Sequence, residues 1–133
     1  MIVYVDTSAL LKRVVVEPES QAVRSLLARM ASAGDLLTSS ALTWVEVRRA
    51  LRRADVPHQE DLADAALSGV DEFPLRPAVL DRARSSKPAT LRSLDAIHLA
   101  SAVGIQATHL ITFDERLAAA ARDEGIDVLA PTG

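Results

Sequence analysis

Four carboxylates, Asp6, Glu46, Asp95 and Asp114, stand where a carboxylate could do chemistry. Asp6 follows the run IVYV and Asp114 follows HLITF, so both belong at the carboxyl ends of strands. Open α/β sheets put their ligand crevice there. Glu46 and Asp95 fall in half-apolar and apolar helical stretches, where an unpaired charge is expensive. Two carboxylates about 4 Å apart repel by roughly 1 kcal/mol in water and about 4 kcal/mol at an effective dielectric near 20. Four together either titrate upward or bind a cation. Mg²⁺ and Mn²⁺ favour such oxygen ligands. The chemistry implied is metal-dependent work on phosphate.

Each acid also has a plainer use. Asp6 and Asp114 are suited to cap the helices that follow them, although Thr7 and Ser8 can cap the first helix and leave Asp6 free. Glu46 can pair with Arg49 one turn on, for about 0.2–0.5 kcal/mol. Asp95 sits in a first helical turn, favoured by the helix dipole. It is the hardest to dismiss, because Leu94–Val103 is otherwise apolar except for His98 and Ser101. His98, at i+3, is expected either to orient Asp95 or to be a core histidine bonded to a backbone carbonyl. Thr112 shares a strand face with Asp114, where its hydroxyl can orient an acid or a water. No single acid decides the matter; their combination carries it.

The elements that must position these residues read as alternating strands and helices. Ile2–Val5 is a first strand, and Ser8 to about Val16 a helix. A second helix opens at Pro18-Glu19-Ser20 and runs to about Ala33. Leu36–Thr38 is a strand, and Ser39 or Ser40 caps a helix over Ala41–Arg53. Pro57–Ser68 is a helix stopped by Gly69, Phe73–Leu75 a short strand, and Pro77 opens another helix. Ser93 caps a helix to Val103, His109–Phe113 is a strand, Asp114 caps Glu115–Glu124, and Ile126–Leu129 is the last strand. Gly34, Gly104 and Gly125 stand where left-handed helix C-caps precede a strand. The alternation implies a parallel sheet with right-handed crossovers.

The totals set bounds. A chain of 133 residues, 49% hydrophobic, fits one domain over residues 1–133 with ample core. Absence of cysteine excludes disulfides, a thiolate metal site and a cysteine nucleophile, and is compatible with a reducing cytoplasm. No apolar run reaches the roughly 18 residues of a membrane span, and MIVYVDTSALLKR lacks the basic start of a signal peptide. The net charge of −3 argues against a nucleic-acid partner. Setting the four acids aside reverses its sign, however, and cations cluster in Arg48, Arg49, Arg52 and Arg53, then in Arg82, Arg84, Lys87 and Arg92. Arginine suits bidentate phosphate contacts, although a GC-rich genome accounts for most of an Arg- and Ala-rich composition.

VDTSALLKR, SALTWVEVRRAL, LRSLDAIHLASA and LITFDERLAAAA resemble the PIN-domain ribonucleases, and most of all the VapC toxins of bacterial toxin–antitoxin pairs. The resemblance runs the full length in the family's order. It implies a PIN-like three-layer α/β/α sandwich around a central parallel sheet, and endoribonuclease activity dependent on Mg²⁺ or Mn²⁺. Its acidic positions fall on Asp6, Glu46, Asp95 and Asp114, and its strand Ser/Thr on Thr112. Asp6, Asp95 and Asp114 are then expected as metal ligands, Glu46 as a ligand or an orienter of the attacking water, and Ser8, Thr112 and His98 as supports. Arg49, Arg53 and Arg92 are expected to line the groove and hold RNA. The resemblance further implies a homodimer, a VapB-like antitoxin partner and an RNA substrate such as transfer or ribosomal RNA. For the antitoxin, Leu10, Leu11, Val14, Val15 and Val16 offer an apolar surface that core packing explains equally well.

Three other readings compete. A phosphoacceptor receiver domain has similar size and an acidic metal pocket, but needs an adjacent acidic pair after strand one and a lysine at a late strand end. Here a single Asp ends the strand, and the lysines are Lys12 and Lys87. A haloacid-dehalogenase phosphatase needs a second Asp where Ser8 stands. A catalytically silent RNA- or protein-binding module of the same fold is distinguished only by an activity assay.

Overall fold

Alternation along Ile2-Val3-Tyr4-Val5 sends successive side chains to opposite faces of the first strand, and the two cores follow from it. The structure, a computed structural model, describes residues 1–132; Gly133, the last residue of the expected domain, lies outside the described residues. Val3 and Val5 join Leu10, Val23, Leu27, Leu37, Val47, Leu51 and Ile111 on one face. Tyr4 joins Leu99, Ala102, Leu110, Leu117 and Ala121 on the other.

The strands are β1 (Ile2–Val5), β2 (Leu36–Ser40), β3 (Asp71–Phe73), β4 (His109–Ile111) and β5 (Asp127–Leu129). They form one five-stranded sheet in the order β3-β2-β1-β4-β5, parallel throughout. Val3 is in register with Leu37 and His109, and Tyr4 with Thr38 and Leu110. Helices α1 (Thr7–Leu11), α2 (Ser20–Ser32), α3 (Ala41–Ala54) and α4 (Gln59–Leu67) supply the first core. Helices α6 (Ser93–Gly104) and α7 (Glu115–Asp123) supply the second, and α5 (Pro77–Arg84) packs on α6. This is the expected three-layer α/β/α sandwich. The chain winds outward from β1 through β2 to β3 on one side and through β4 to β5 on the other. The switch point, where such sheets open a crevice, therefore lies between β1 and β4.

Some elements depart from the sequence reading for local reasons. α1 ends at Leu11 rather than near Val16, because the β-branched run Val14-Val15-Val16 resists helix. Leu10, Leu11 and Val14 turn into the core, and of the apolar surface expected there only Val15 and Val16 are exposed, Val16 by 89%. β3 lies two residues earlier than Phe73–Leu75, since Pro74 has no N–H for a ladder bond. β4 stops at Ile111 instead of Phe113, because the Phe113 and Asp114 amides turn to side chains. Gly34, Gly69 and Gly125 take positive φ, but Gly104 remains in α6 and Gln106 adopts the left-handed turn (φ 59°). Arg92, not Ser93, holds the N-cap position of α6, without a capping side-chain bond.

Candidate active site

Asp6 leaves the end of β1 as its last backbone ladder bond reaches Ile111 (3.1 Å). Its carboxylate is 5% exposed. Oδ1 accepts from the Ser8 hydroxyl (2.7 Å) and the Ala9 amide (3.1 Å), and Oδ2 from the Thr112 hydroxyl (2.7 Å). Asp6 is thus the N-cap of α1, the plainer of the uses the sequence offered it, and neither Thr7 nor Ser8 takes that role. Burial pushes its carboxyl above the ordinary range, and the Thr112, Ser8 and Ala9 donors only partly offset this.

Thr112 and Ser8 stitch the two strand ends together. Besides donating to Asp6, Thr112 Oγ1 accepts the Asp114 amide (3.0 Å), and Ser8 Oγ accepts the Phe113 amide (3.0 Å). Asp114 Oδ1 caps α7 through the Arg116 and Leu117 amides (2.9 and 3.0 Å). Its Oδ2 faces the Arg92 guanidinium at 2.7 Å, while Arg92 Nε reaches Asp95 Oδ2 at 3.0 Å. One arginine therefore bridges two of the four acids.

Glu46 enters from α3. Its Oε1 accepts from the Thr7 hydroxyl (2.7 Å) and meets His98 Nε2 at 2.5 Å. The anticipated pairing with Arg49 is replaced by these two contacts. Burial pushes the Glu46 carboxyl up, but the His98 and Thr7 hydrogen bonds and the charge of Arg53 outweigh it, leaving it below its ordinary range. His98 is 3% exposed. The two expected partners, Asp95 and a backbone carbonyl, are replaced by Glu46 and by the Tyr4 hydroxyl, which meets His98 Nδ1 at 2.7 Å. Arg49 and Arg53 are exposed on α3, and among the described residues no ion pair joins Arg49 to these acids.

The structure thus links Asp6 to Asp114 through Thr112, Asp114 to Asp95 through Arg92, and Asp6 to Glu46 through the adjoining Thr7. Tyr4 was absent from the sequence reading, and Thr7 entered it only as a possible helix cap. Tyr4 carried a usable signal: it is the chain's one tyrosine, two residues before Asp6, hence on the same strand face. Shallow clefts border Asp114, one of about 440 Å³ lined by Thr112, Phe113, Glu115 and Val128, another of about 370 Å³ between Arg92 and Arg116. An apolar cleft of about 460 Å³, between Ile2, Phe73, Val79 and Gly104, holds none of the acids.

As a cation site, the donors match in kind but are not preset. Four hard carboxylates face one bridging guanidinium, an excess of negative charge suited to a hard divalent ion. Glu46 Oε2 and Asp95 Oδ1 accept no hydrogen bond among the described residues. Yet among those residues no three His, Asp or Glu side chains form a ready-made metal cage. Arg92 occupies Asp95 Oδ2 and Asp114 Oδ2, so an ion would have to displace it from those oxygens.

A family model described as PIN domain matches residues 3–123. Ribonuclease VapC47 of Mycobacterium tuberculosis (strain CDC 1551 / Oshkosh) is 40% identical over 131 residues, covering 97% of this chain and 96% of that protein. Ribonuclease VapC46 of M. tuberculosis (strain H37Rv) is 39% identical over 132 residues, 98% of each. Two solved structures share the fold. VapBC2 from Rickettsia felis, bound to a DNA fragment from its promoter, superposes with a TM-score of 0.76 at 13% identity, covering 97% of this chain and 98% of that one. M. tuberculosis VapC20, described as a sarcin–ricin loop cleaving toxin, gives 0.72 at 18% identity over 89% and 94%.

Proposed function

This chain belongs to the PIN-domain family, among its VapC ribonucleases, and from that premise we propose that it is the endoribonuclease toxin of a VapBC-type toxin–antitoxin pair. It hydrolyses RNA phosphodiester bonds with Mg²⁺ or Mn²⁺, as a single PIN domain, in the cytoplasm. Its partners are an RNA substrate, a VapB-like antitoxin and a second copy of itself. No helix among the described residues is long and apolar enough to cross a membrane.

The observation that carries this reading is the linked acid rim at the β1/β4 switch point, with Thr112 shared between Asp6 and Asp114. Asp6, Asp95 and Asp114 would hold the cation, with Glu46 as a further ligand or as the acceptor that orients the attacking water. When bound, the ion supplies Lewis-acid polarisation of a phosphate oxygen and a lowered pKa for water. The chain's own side chains do the rest. Thr112 and Ser8 keep both Asp6 oxygens aimed by donating to them. Arg92, Arg49 and Arg53 hold backbone phosphates of the RNA. Glu46, held ionised by the His98 and Thr7 hydrogen bonds, orients the attacking water where it is not itself a ligand. Water attack leaves the phosphate on the 5′ end of the downstream fragment, whereas attack by the RNA 2′-hydroxyl leaves a cyclic phosphate.

The test is cleavage of total bacterial RNA by antitoxin-free protein, with Mg²⁺ or Mn²⁺ against EDTA, and Asp95→Ala beside the wild type. Discrete cuts with 5′-phosphate ends that vanish in EDTA and in the variant are expected. Cutting that survives both would overturn the metal-dependent mechanism.

A further inference from the structure

Beneath the acid rim lies a buried polar chain that ends on Glu46. Tyr4, fully buried on β1, places its hydroxyl 2.7 Å from His98 Nδ1. The Ser40 amide donates to the same hydroxyl oxygen at 3.2 Å. That amide fills one of the two acceptor positions of the hydroxyl, whose single proton points at Nδ1 in the arrangement proposed below. With Nδ1 accepting, a neutral His98 carries its proton on Nε2, and Nε2 faces Glu46 Oε1 at 2.5 Å. Thr7 donates to that same oxygen at 2.7 Å. Both donors converge on Oε1, and Oε2 accepts no hydrogen bond among the described residues.

We propose that His98 is a positioning residue that fixes the Glu46 carboxylate with Oε2 toward the reaction, and that Tyr4 sets the histidine tautomer this requires. The proposal rests on the reading that Glu46 serves the cleavage reaction. A glutamate on an open helix face loses several rotamers when it is immobilised. Tyr4 and His98 make that ordering part of the folded structure, so it need not occur at each turnover. Three elements supply the chain: β1 carries Tyr4 two residues before Asp6, α6 carries His98 one turn after Asp95, and α3 carries Glu46.

The experiment compares wild type with His98→Leu, His98→Gln, Tyr4→Phe and Glu46→Gln. Nitrogen-15 NMR of the metal-free protein reads the His98 tautomer. Turnover is measured on an oligoribonucleotide spanning a mapped cut site. The wild type is expected to show the Nε2–H tautomer, and Tyr4→Phe to move it toward a mixture. His98→Leu, similar in bulk but without a donor, is expected to lower kcat about 10- to 100-fold with KM changed by less than about threefold. His98→Gln, whose amide can still donate to Glu46, is expected to recover much of that loss. An Nδ1–H tautomer in the wild type, or equal kcat in folded His98→Leu and wild type, overturns the proposal while leaving the nuclease reading intact. Equal loss in His98→Leu and His98→Gln also overturns it, since only packing would then matter. Where His98→Leu does not fold, His98→Gln and Tyr4→Phe decide by the same criteria. Unchanged cleavage by Glu46→Gln removes the role of Glu46 itself, and the proposal with it.

Discussion

The four acids divide by what holds them, not by depth, into an inner pair on donors built into the fold and an outer pair on one exposed arginine. Asp6 and Glu46 are fixed by short donors built into the fold: Ser8, the Ala9 amide and Thr112 for one, Thr7 and His98 for the other. Asp95 and Asp114 are held together by Arg92, whose side chain is 63% exposed. The first arrangement requires burial of charge, which opposes ionisation of Asp6. The second costs little to undo, because an exposed guanidinium can turn to water. The inner pair supplies geometry, and the outer pair supplies exchangeable charge.

Asp6→Asn breaks the inner half most severely. Loss of a charged group at the reacting centre is expected to lower cleavage on the order of a thousandfold. The same variant is expected to stabilise the metal-free protein. In the folded state the Asp6 pKa is raised, so between the ordinary carboxylate value and that raised value the folded chain binds more protons than the unfolded one. Stability therefore falls as pH rises through that window, and the deficit persists at neutral pH. The uncharged amide of the variant carries no such dependence. In EDTA the variant should melt higher than the wild type near pH 7 and match it near pH 4. A lower melting temperature at pH 7 would mean that the internal donors fully satisfy the charge, and that the inner pair stores no strain.

Thr112→Val tests whether the inner donors position the acid or merely fill space. The substitution keeps the shape, but removes the donor to Asp6 and the acceptor of the Asp114 amide. Each buried group left without a partner costs about 1–3 kcal/mol, and cleavage should fall about tenfold or more. Thr112→Ser, which keeps the hydroxyl, should restore most of both. If Val and Ser behave alike in melting and in turnover, the hydroxyl is not what aligns Asp6.

The division between the pairs also explains what could be read from the chain itself. The sheet was legible because apolar runs end in acids and because Gly34, Gly69 and Gly125 punctuate helix ends with the positive φ that glycine tolerates. Asp95 was legible because its neighbours are apolar and its charge had to be answered. The partners of His98 were not legible: Tyr4 is 94 residues away and Glu46 is 52, and only the strand order brings them together. Arg92 was expected to face RNA; its contact with Asp95 is local, three residues on, but its reach to Asp114 depends on the spacing of α6 from the end of β4, which no local pattern encodes. The early end of α1 was a local signal outweighed by the pull of apolar periodicity through Leu10, Leu11 and Val14.

Arg92→Gln gives the smallest expected effect and the sharpest test of the outer pair. While Arg92 bridges Asp95 and Asp114, it neutralises the charge that would attract a divalent ion, so ion and guanidinium compete for the same oxygens. Removing the competitor should tighten Mn²⁺ binding by about two- to fivefold, in keeping with an exposed ion pair. Binding of RNA should move the other way, with weaker affinity and a salt slope shallower by about one unit, because a phosphate contact is lost. Calorimetric titration with Mn²⁺, and filter binding across salt concentrations by the metal-free protein, separate the two. Opposite changes in the two affinities identify Arg92 as a residue shared between the acids and the RNA. A weaker Mn²⁺ affinity would instead make the guanidinium a support that aligns Asp95 and Asp114, and the outer pair would be as fixed as the inner one.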